Sequence, residues 1–299
     1  MSGDEPEHVA FHHADFCFDE HRRAVEASRR AGTGVAAAPF AEHDDTSASW
    51  DAFHRQHSGA AFFKHRRYLL AEFPQLLGKR GQALTVLELG CGNGSSCLPL
   101  LLANPAVRVV ACDFSAAAVA ATRSAVSHAG VSEDRFVAFE ADPGAASADE
   151  FAAALAAAVS LAGWPPLTRF DAVLAVFVLS ALPPARVPAF LASACSVLRP
   201  GGCLLARDYG TFDQAHLRFS PEAACDDSGR LFRRQDGTLA RFFDRDELVD
   251  IVCSGAASAG VHLAGEADWH TVAVPNRAKS ITMRRVFVHA VFTRALDDV

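Results

Sequence analysis

One short segment constrains the fold of this chain more than any other. Residues 85–89 read Thr-Val-Leu-Glu-Leu, and Gly90, Gly92 and Gly94 follow them at alternate positions. Because glycine has no Cβ, a turn of this composition lets the backbone approach a ligand closely. An apolar strand that ends in such a turn and leads into a helix is typical of open α/β sheets, which bind ligands at the carboxyl ends of their strands.

Strand-like and helix-like segments alternate as far as residue 206. Apolar strands are expected at 107–111, 136–139, 170–179 and 203–206, and helices at 98–102, 116–129, 149–161 and 187–198. Continuous apolar strands separated by helices predict a parallel sheet covered on both faces. A helix at 246–255 and a final strand at 285–292 predict that an antiparallel hairpin completes the sheet. We therefore expect an α/β, Rossmann-like fold with a central, mostly parallel seven-stranded sheet and an N-terminal helical extension.

Two N-terminal segments differ in residue composition from the strand–helix region. Residues 1–48 have a mixed composition, with a Gly/Ala-rich stretch at 31–38. They are expected to form a partly flexible arm with one helix. Residues 49–82 interleave aromatic and basic side chains at helical spacing, which predicts a helical cap. The main domain is expected at 83–299, with a loop insertion at about 211–240 that could form a lid.

Composition excludes several classes of protein. Half of the residues are hydrophobic, yet no apolar run approaches the roughly 20 residues that a membrane helix needs, so no membrane partner is expected. None of the eight cysteines forms a CxxC pair, which predicts reduced thiols and no metal site. Residues 1–8 resemble no export or transit signal, which predicts a cytoplasmic location, with the nucleus as the alternative. The net charge of −7 argues against general binding of nucleic acids but permits a local basic patch.

The glycine spacing distinguishes among nucleotide-binding families. A dinucleotide fingerprint would require glycine at position 95, where Ser95 stands, and no Gly-Lys-Ser/Thr of a phosphate loop follows. No Tyr-x-x-x-Lys pair supports a dehydrogenase. The Glu-x-Gly-x-Gly-x-Gly pattern that begins at Glu88 resembles instead the turn of class I methyltransferases, which hold S-adenosylmethionine.

Two acidic residues at the ends of later strands fit the same resemblance. Asp113 ends the second strand about 20 residues after the turn, where a carboxylate can accept both ribose hydroxyls. Asp142 ends the third strand, where class I methyltransferases place a group near the adenine amino nitrogen. Neither an Asn/Asp-Pro-Pro-Tyr motif nor a Pro-Cys nucleophile is present, which argues against methylation of adenine N6, cytosine N4 and cytosine C5.

A set of longer motifs is far more specific than the glycine turn. They are Trp50-Asp51-x-Phe53, Phe62-Phe63-Lys64-x-Arg66, Cys112-Asp113-Phe114-Ser115, Phe177-Val178-Leu179-Ser180-Ala181, Arg207-Asp208-Tyr209-Gly210, Leu217-Arg218-Phe219, Arg234-Gln235-Asp236-Gly237-Thr238 and Asn276-Arg277. Through them, the region from about 50 to 292 closely resembles the eukaryotic methyltransferase-like enzymes that form 3-methylcytidine in the anticodon loop of tRNA. The chain departs from that family at His54, where tyrosine is usual, at 65–68, where Asp-Arg-His-Trp is usual, and at Pro143, where leucine is typical.

The resemblance implies a role for each of several groups of residues. It places at the cofactor Trp50, His54, Glu88, Gly90, Gly92, Asp113, Phe114, Asp142 and Val176. It implies RNA contacts from Lys64, Arg66, Arg67, Arg218, Arg277 and Lys279, with stacking on Phe62, Phe63 and Tyr68. Asp208 and Tyr209 are expected to line the pocket for the target base, although Asp208 could instead pair with Arg207 or Arg218 and only shape the loop.

The methyl transfer that the resemblance implies does not require a catalytic base from the protein. Cytosine N3 carries an in-plane lone pair and no proton, so it can attack a methyl group without a general base. The cytosine must be unpaired, which favours a loop nucleotide. A carboxylate such as that of Asp208 could accept from the 4-amino group.

Two other functions remain open from the sequence. A class I methyltransferase that acts on a small molecule or a protein would share the fold, since fold does not determine substrate. A non-catalytic scaffold that presents tRNA is the second alternative, although the retained glycines and acidic residues argue against it. The acidic net charge suggests that a protein partner, such as an aminoacyl-tRNA synthetase, helps to bring the tRNA.

Overall fold

The computed structural model describes residues 11–29, 46–56, 64–78, 83–220, 223–276 and 280–296. The Gly/Ala-rich stretch at 31–38 and four residues expected to contact RNA (Phe62, Phe63, Arg277 and Lys279) lie outside these ranges.

Seven strands form the central sheet, and two short strands pair separately. The strands are β1 (Leu84–Leu89), β2 (Val107–Asp113), β3 (Phe136–Glu140), β4 (Phe170–Val176), β5 (Leu198–Tyr209), β6 (Leu231–Arg233), β7 (Leu239–Arg241), β8 (Leu263–Asn276) and β9 (Ile281–Arg294). The order in the large sheet is β3-β2-β1-β4-β5-β9-β8, and β6 pairs with β7. Strands β1 to β5 are parallel, whereas β9 runs antiparallel to β5 and β8. The predicted α/β fold with a mostly parallel seven-stranded sheet is confirmed.

The helices cover both faces of this sheet. They are α1 (Phe18–Arg29), α2 (Ser47–Gln56), α3 (Leu69–Glu72), α4 (Cys97–Ala103), α5 (Ala116–His128), α6 (Ala148–Leu161), α7 (Val187–Ser196) and α8 (Arg245–Ser258). Successive strand residues point to opposite faces, so Leu87 and Leu89 pack with α6, α7 and α8, while Val86 packs with α3, α4 and α5. No described helix has the length and apolar character to cross a bilayer.

Several boundaries differ from the expectations. Strand β4 ends at Val176, earlier than expected, because Phe177 adopts a left-handed backbone conformation with φ +59°. Strand β8 was not predicted, because polar and charged residues such as Glu266 and Asp268 interrupt it, whereas the expected strands are continuous apolar runs.

The described part of the N-terminal arm packs on that edge. The Asp15 amide donates to the Thr271 carbonyl at 2.9 Å, and the Thr271 amide donates to the His13 carbonyl at 2.8 Å. The ring of Phe18 stacks on Trp269 with centroids 4.0 Å apart. Residues 11–29 therefore cover backbone groups that an edge strand would otherwise expose.

Candidate active site

A cavity of about 520 Å³ opens at the carboxyl ends of the five parallel strands, beneath α2. Its walls include eight of the nine residues expected at the cofactor: Trp50, His54, Gly90, Gly92, Asp113, Phe114, Asp142 and Val176. Strand β1 lies between β2 and β4, so the chain order reverses here, and α/β sheets bind ligands at such a point.

The glycine turn has a conformation that other residues rarely adopt. Gly90 has φ +69°, and a Cβ there would lie 2.6 Å from Cγ2 of Val178. Gly92 has φ +55° and faces the cavity, where a Cβ would contact Cε1 of His54 at 3.6 Å. Glycine therefore keeps this wall of the cavity open and unstrained.

Backbone amides hold the carboxylate of Asp113 in place. Oδ2 accepts from the Gly92 amide at 2.9 Å, and Oδ1 accepts from the Ser115 amide at 3.0 Å. Burial raises the pKa of Asp113, and the two amide bonds act in the opposite direction. Each oxygen keeps a second lone pair, so the fixed carboxylate can still accept from hydroxyl groups in the cavity.

Asp142 already has a charged partner. Arg186 donates from Nη2 to Asp142 Oδ2 at 2.9 Å and from Nη1 to Ser47 Oγ at 3.3 Å. The Gly144 amide donates to Asp142 Oδ1 at 2.9 Å. Arg186 therefore links the loop after β3 to α2, and Asp142 lines the cavity with Pro143 beside it.

Helix α2 and the glycine turn contribute polar groups that suit a polar ligand. The hydroxyl of Ser115 donates to Oδ1 of Asp51 at 2.7 Å, which fixes the helix over the loop after β2. Trp50 Nε1 and Asn93 Oδ1 are buried, and neither has a hydrogen-bond partner among the described residues. Buried polar groups normally have partners, so this donor and this acceptor fit a bound molecule such as S-adenosylmethionine.

The opposite end of the cavity is aromatic. Phe177 follows the end of β4, Tyr209 ends β5 and Phe287 lies in the middle of β9, and their ring centroids lie 4.8 to 6.3 Å apart. The positive φ of Phe177 costs on the order of 1–3 kcal/mol, a kind of strain that concentrates at functional sites. These rings form a surface on which a flat base can stack.

Arginine side chains surround that aromatic surface. The Arg66 guanidinium lies 5.2 Å from the Phe177 centroid, and the Arg285 guanidinium lies 5.1 Å from the Phe287 centroid. Arg234 is 5.9 Å from the centroid of Tyr209. Sequence reasoning did not assign Phe287 or Arg234 to the site, although Arg234 begins one of the specific motifs.

The placement of Asp208 corrects the expectation that it faces the base. It is 1% exposed, does not line the cavity, and accepts from the Ser180 amide at 2.9 Å and the Tyr209 amide at 2.8 Å. Burial raises the pKa of Asp208 to about 6, although the hydrogen bonds from Ser180 and Tyr209 lower it. Asp208 therefore fixes the loop after β4, through neither Arg207 nor Arg218, while Tyr209 does line the cavity.

Glu88 is the ninth residue that was expected at the cofactor. It is 1% exposed and lies under the glycine turn, outside the cavity wall. Burial raises the pKa of Glu88 to about 7, although the Arg66 charge and hydrogen bonds from Ser96 and Cys97 act to lower it. The Oε2 atom of Glu88 is buried and has no hydrogen-bond partner among the described residues, so the predicted contact of Glu88 with the cofactor stays a prediction.

Replacing Glu88 with glutamine is expected to change how stability depends on pH. A carboxyl whose pKa is raised on folding stabilises the native state at low pH, and that contribution is lost between its unfolded pKa near 4.5 and about 7. The wild type should lose up to about 1.4 kcal/mol per pH unit relative to Glu88→Gln across this window. Urea unfolding at pH 5 and pH 8 measures the difference, and parallel pH profiles would contradict it.

The basic residues expected to contact RNA are divided among three places. Lys64 and Arg66 line the cavity, and Arg67 is exposed beside them. Arg66 Nη1 donates to Ser96 Oγ at 2.7 Å. Arg218 lines a neighbouring cavity.

A buried cluster behind the aromatic end combines Glu72, Arg207, His270 and His289. Arg207 donates to Glu72 Oε1, and Nδ1 of His270 and of His289 lies 3.1 and 3.3 Å from the same oxygen. The two imidazole rings are stacked with planes 8° apart, so one metal ion could not lie in both ring planes. This arrangement suits hydrogen bonding to Glu72 and does not suit joint coordination of a metal ion.

Comparison with known proteins agrees with this geometry. A family described as "Methyltransferase domain" matches residues 87–204. The tRNA N(3)-methylcytidine methyltransferase Mettl2 of Drosophila melanogaster is 31% identical over 96% of this chain and 84% of its own length. The tRNA N(3)-methylcytidine methyltransferase trm141 of Schizosaccharomyces pombe is 32% identical over 84% of this chain and 93% of its own.

Solved structures share the fold at lower identity. A Burkholderia thailandensis 1,6-didemethyltoxoflavin-N1-methyltransferase, with S-adenosylhomocysteine bound, is 18% identical with a TM-score of 0.53, covering 88% of this chain and 94% of its own. An S-adenosylmethionine-dependent methyltransferase from Anabaena variabilis is 11% identical with a TM-score of 0.55, and the match covers 88% of this chain and 99% of that one.

Proposed function

The chain belongs to the family of tRNA N(3)-cytidine methyltransferases, and we propose on that premise that it methylates N3 of a cytidine in the anticodon loop of tRNA. The methyl donor is S-adenosylmethionine. Among the alternatives considered, the family favours this one over a small-molecule or protein methyltransferase and over a non-catalytic scaffold.

One observation carries the proposal: a single cavity joins the glycine turn to the aromatic, arginine-lined end. Methyl transfer requires the donor and the acceptor to be aligned, and orientation supplies much of the rate. A cavity with both kinds of wall can hold a cofactor at one end and a base at the other.

The residues at the cofactor end suit S-adenosylmethionine, which supplies a methyl group on a sulfonium. The fixed carboxylate of Asp113 would accept the ribose hydroxyls. Trp50 Nε1 would donate and Asn93 Oδ1 would accept, which would satisfy two buried groups. Gly90 and Gly92 keep the wall free of side chains.

The residues at the target end position the base without a proton transfer. Cytosine N3 presents a lone pair, so no side chain has to remove a proton before attack. Phe177, Tyr209 and Phe287 would hold the ring plane, and the base gains a positive charge on methylation that aromatic faces stabilise. The carboxylate of Asp208 acts only indirectly, by fixing the loop that carries Ser180.

An anticodon-loop target fits the shape of this end. The base has to leave its stack to reach the aromatic walls, and a loop nucleotide does so at low cost. Lys64, Arg66 and Arg67 lie where the RNA backbone would enter, and all three are basic.

The net charge of −7 supports a further part of the proposal, that a protein partner such as an aminoacyl-tRNA synthetase helps to recruit the tRNA. An aminoacyl-tRNA synthetase that recognises the substrate tRNA, added to the reaction, should lower KM for tRNA and leave kcat nearly unchanged. A panel of synthetases that leaves KM unchanged would contradict this part alone.

The chemical test uses an anticodon stem-loop RNA with one unpaired cytidine in the loop. Replacing that cytidine with 3-deazacytidine exchanges N3 for a C–H group and removes the lone pair. Methyl transfer should occur only to the cytidine RNA, whereas both RNAs should bind with similar affinity. Equal methylation of the two RNAs would exclude N3 as the acceptor.

Tyr209→Ala is expected to lower kcat/KM for this stem-loop by roughly 10- to 100-fold, because stacking of one base on an aromatic ring contributes about 1–3 kcal/mol. Tyr209→Phe is the matched control. It keeps the ring, and its kcat/KM should stay within about twofold of the wild-type value, because the hydroxyl has no role in stacking. Steady-state kinetics with labelled cofactor measure both variants, and an equal loss in the two would show that the hydroxyl carries the effect.

A further inference from the structure

A second cavity of about 350 Å³ adjoins the first on the far side of Tyr209. Three arginines (Arg218, Arg234 and Arg285) and three aromatic residues (Tyr209, Phe219 and Phe242) line it. Tyr209, Arg234 and Arg285 belong to the walls of both cavities. Neither the family relationship nor the methyl-transfer chemistry assigns a role to this second cavity.

The walls of the second cavity carry positive charge that the protein does not fully neutralise. Arg285 donates from Nε to Asp213 Oδ2 at 2.8 Å, so this one arginine has a carboxylate partner. Arg234 donates to the hydroxyl of Thr238 and the carbonyl of Leu239, both of which are uncharged. No acidic residue lines the cavity among the described residues. The cavity is therefore suited to an anion.

Arg218 lies exposed at the mouth of this cavity. Its Nη2 lies 3.6 Å from Sδ of Met283, which is a weak acceptor. A guanidinium in this position can still form charge-assisted hydrogen bonds with a phosphate.

The aromatic walls are rigid. Phe219 stacks on Phe232 with centroids 4.4 Å apart, and Phe242 packs against both Phe219 and Tyr209. Phe232 and Phe242 are 2% and 1% exposed, while Phe219 is half-buried. A half-buried ring on a packed support offers an apolar surface beside the cationic groups. Aromatic faces next to guanidinium groups are the usual recognition elements for single-stranded nucleotides.

We propose that the second cavity binds the nucleotide next to the target cytidine, with its phosphate at Arg218 and Arg234 and its base against Phe219. This inference rests on the proposed function, because it assumes an RNA strand in the first cavity. Tyr209 then stands between the two bases and keeps the target out of the stack. Most of the second cavity comes from the insertion after residue 210, which gives this insertion a role in holding the substrate.

The test compares three anticodon stem-loop RNAs: one unmodified, and two with a neutral methylphosphonate immediately 5′ or 3′ of the target cytidine. Arg218→Gln should weaken binding of the unmodified RNA by about 5- to 20-fold and reduce the salt slope by about 1, as expected for one lost phosphate contact. Arg245→Gln is the matched control, because Arg245 lies outside both cavities, pairs with Asp246 and is expected to leave binding unchanged. Fluorescence anisotropy at several salt concentrations measures all combinations.

On one of the two methylphosphonate RNAs, Arg218→Gln should cause no further weakening, because the contact is already lost. Two results would show that the second cavity does not hold the adjacent phosphate. In the first, Arg218→Gln weakens binding of both methylphosphonate RNAs as much as it weakens binding of the unmodified RNA. In the second, Arg218→Gln binds the unmodified RNA as tightly as the wild type does. Methylation of the unmodified RNA by the wild type is scored in parallel. Its absence would overturn the proposed function, whereas the binding comparison separately tests the second cavity.

Discussion

Replacing Arg207 with methionine is expected to lower the free energy of unfolding by about 3–5 kcal/mol. Arg207 is 4% exposed and pairs with the Glu72 side chain, which is fully buried. Burial raises the pKa of Glu72, but hydrogen bonds from His270 and His289 and the Arg207 charge outweigh this effect and lower the pKa to about 2. Without Arg207, the protein would have to bury this carboxylate without its cationic partner. Urea unfolding at pH 7 measures the loss.

A second variant separates this cause from a simple loss of packing. The guanidinium of Arg207 also lies 4.2 Å from the ring centroid of Phe287, so the methionine chain has to replace some apolar contact. The double variant Glu72→Gln/Arg207→Met leaves no unpaired charge and should recover more than half of the lost stability, as is common when a buried pair is removed together. A double variant as unstable as the single one would assign the loss to packing.

Replacing Asp113 with alanine is expected to weaken cofactor binding by about 100-fold or more. Two charge-assisted hydrogen bonds to the ribose would be lost, each of about 1.5–3 kcal/mol. The carboxylate also holds the amides of Gly92 and Ser115, so the glycine turn and the start of α5 lose a support. Isothermal titration of S-adenosylhomocysteine measures the change, with a thermal unfolding curve to show that the variant is folded.

Asp142→Ala provides the comparison for this experiment. Both carboxylates line the cavity, but Asp142 is already paired with Arg186 and with the Gly144 amide. Its contribution to cofactor binding should therefore be smaller than that of Asp113. A folded Asp113→Ala variant that binds within about threefold of the wild type would contradict the assignment of the ribose site.

The cofactor end of the site could be predicted because its residues follow strand ends. Parallel strands in one sheet bring their carboxyl ends to the same edge, so Gly90, Asp113 and Asp142 were expected together before any contact was known. The errors concern single residues within strands. Neighbouring strand residues face opposite sides, so Tyr209 reaches the cavity while Asp208 points away, and the strand end alone did not show which one would.

The residues at the target end could not all be predicted, because their positions depend on a strand pairing that local sequence patterns do not indicate. Strand β9 runs antiparallel to β5 with Tyr209 opposite Phe287 and Arg207 opposite His289. This register brings Phe287 to the cavity and His289 to Glu72, although both lie far along the chain from their partners. The pairing of β8 with β9 places His270 in the same cluster. No pattern in the separate segments indicates these contacts.

Methyl transfer from labelled S-adenosylmethionine to total tRNA, followed by mass spectrometry of the nucleosides, tests whether this protein forms 3-methylcytidine. We expect a new 3-methylcytidine peak with the wild type, mapped to the anticodon loop, and its loss with Asp113→Ala. Label in a different nucleoside, or cofactor binding without any methylated nucleoside in the presence of a synthetase partner, would show that this cavity does not methylate cytidine N3.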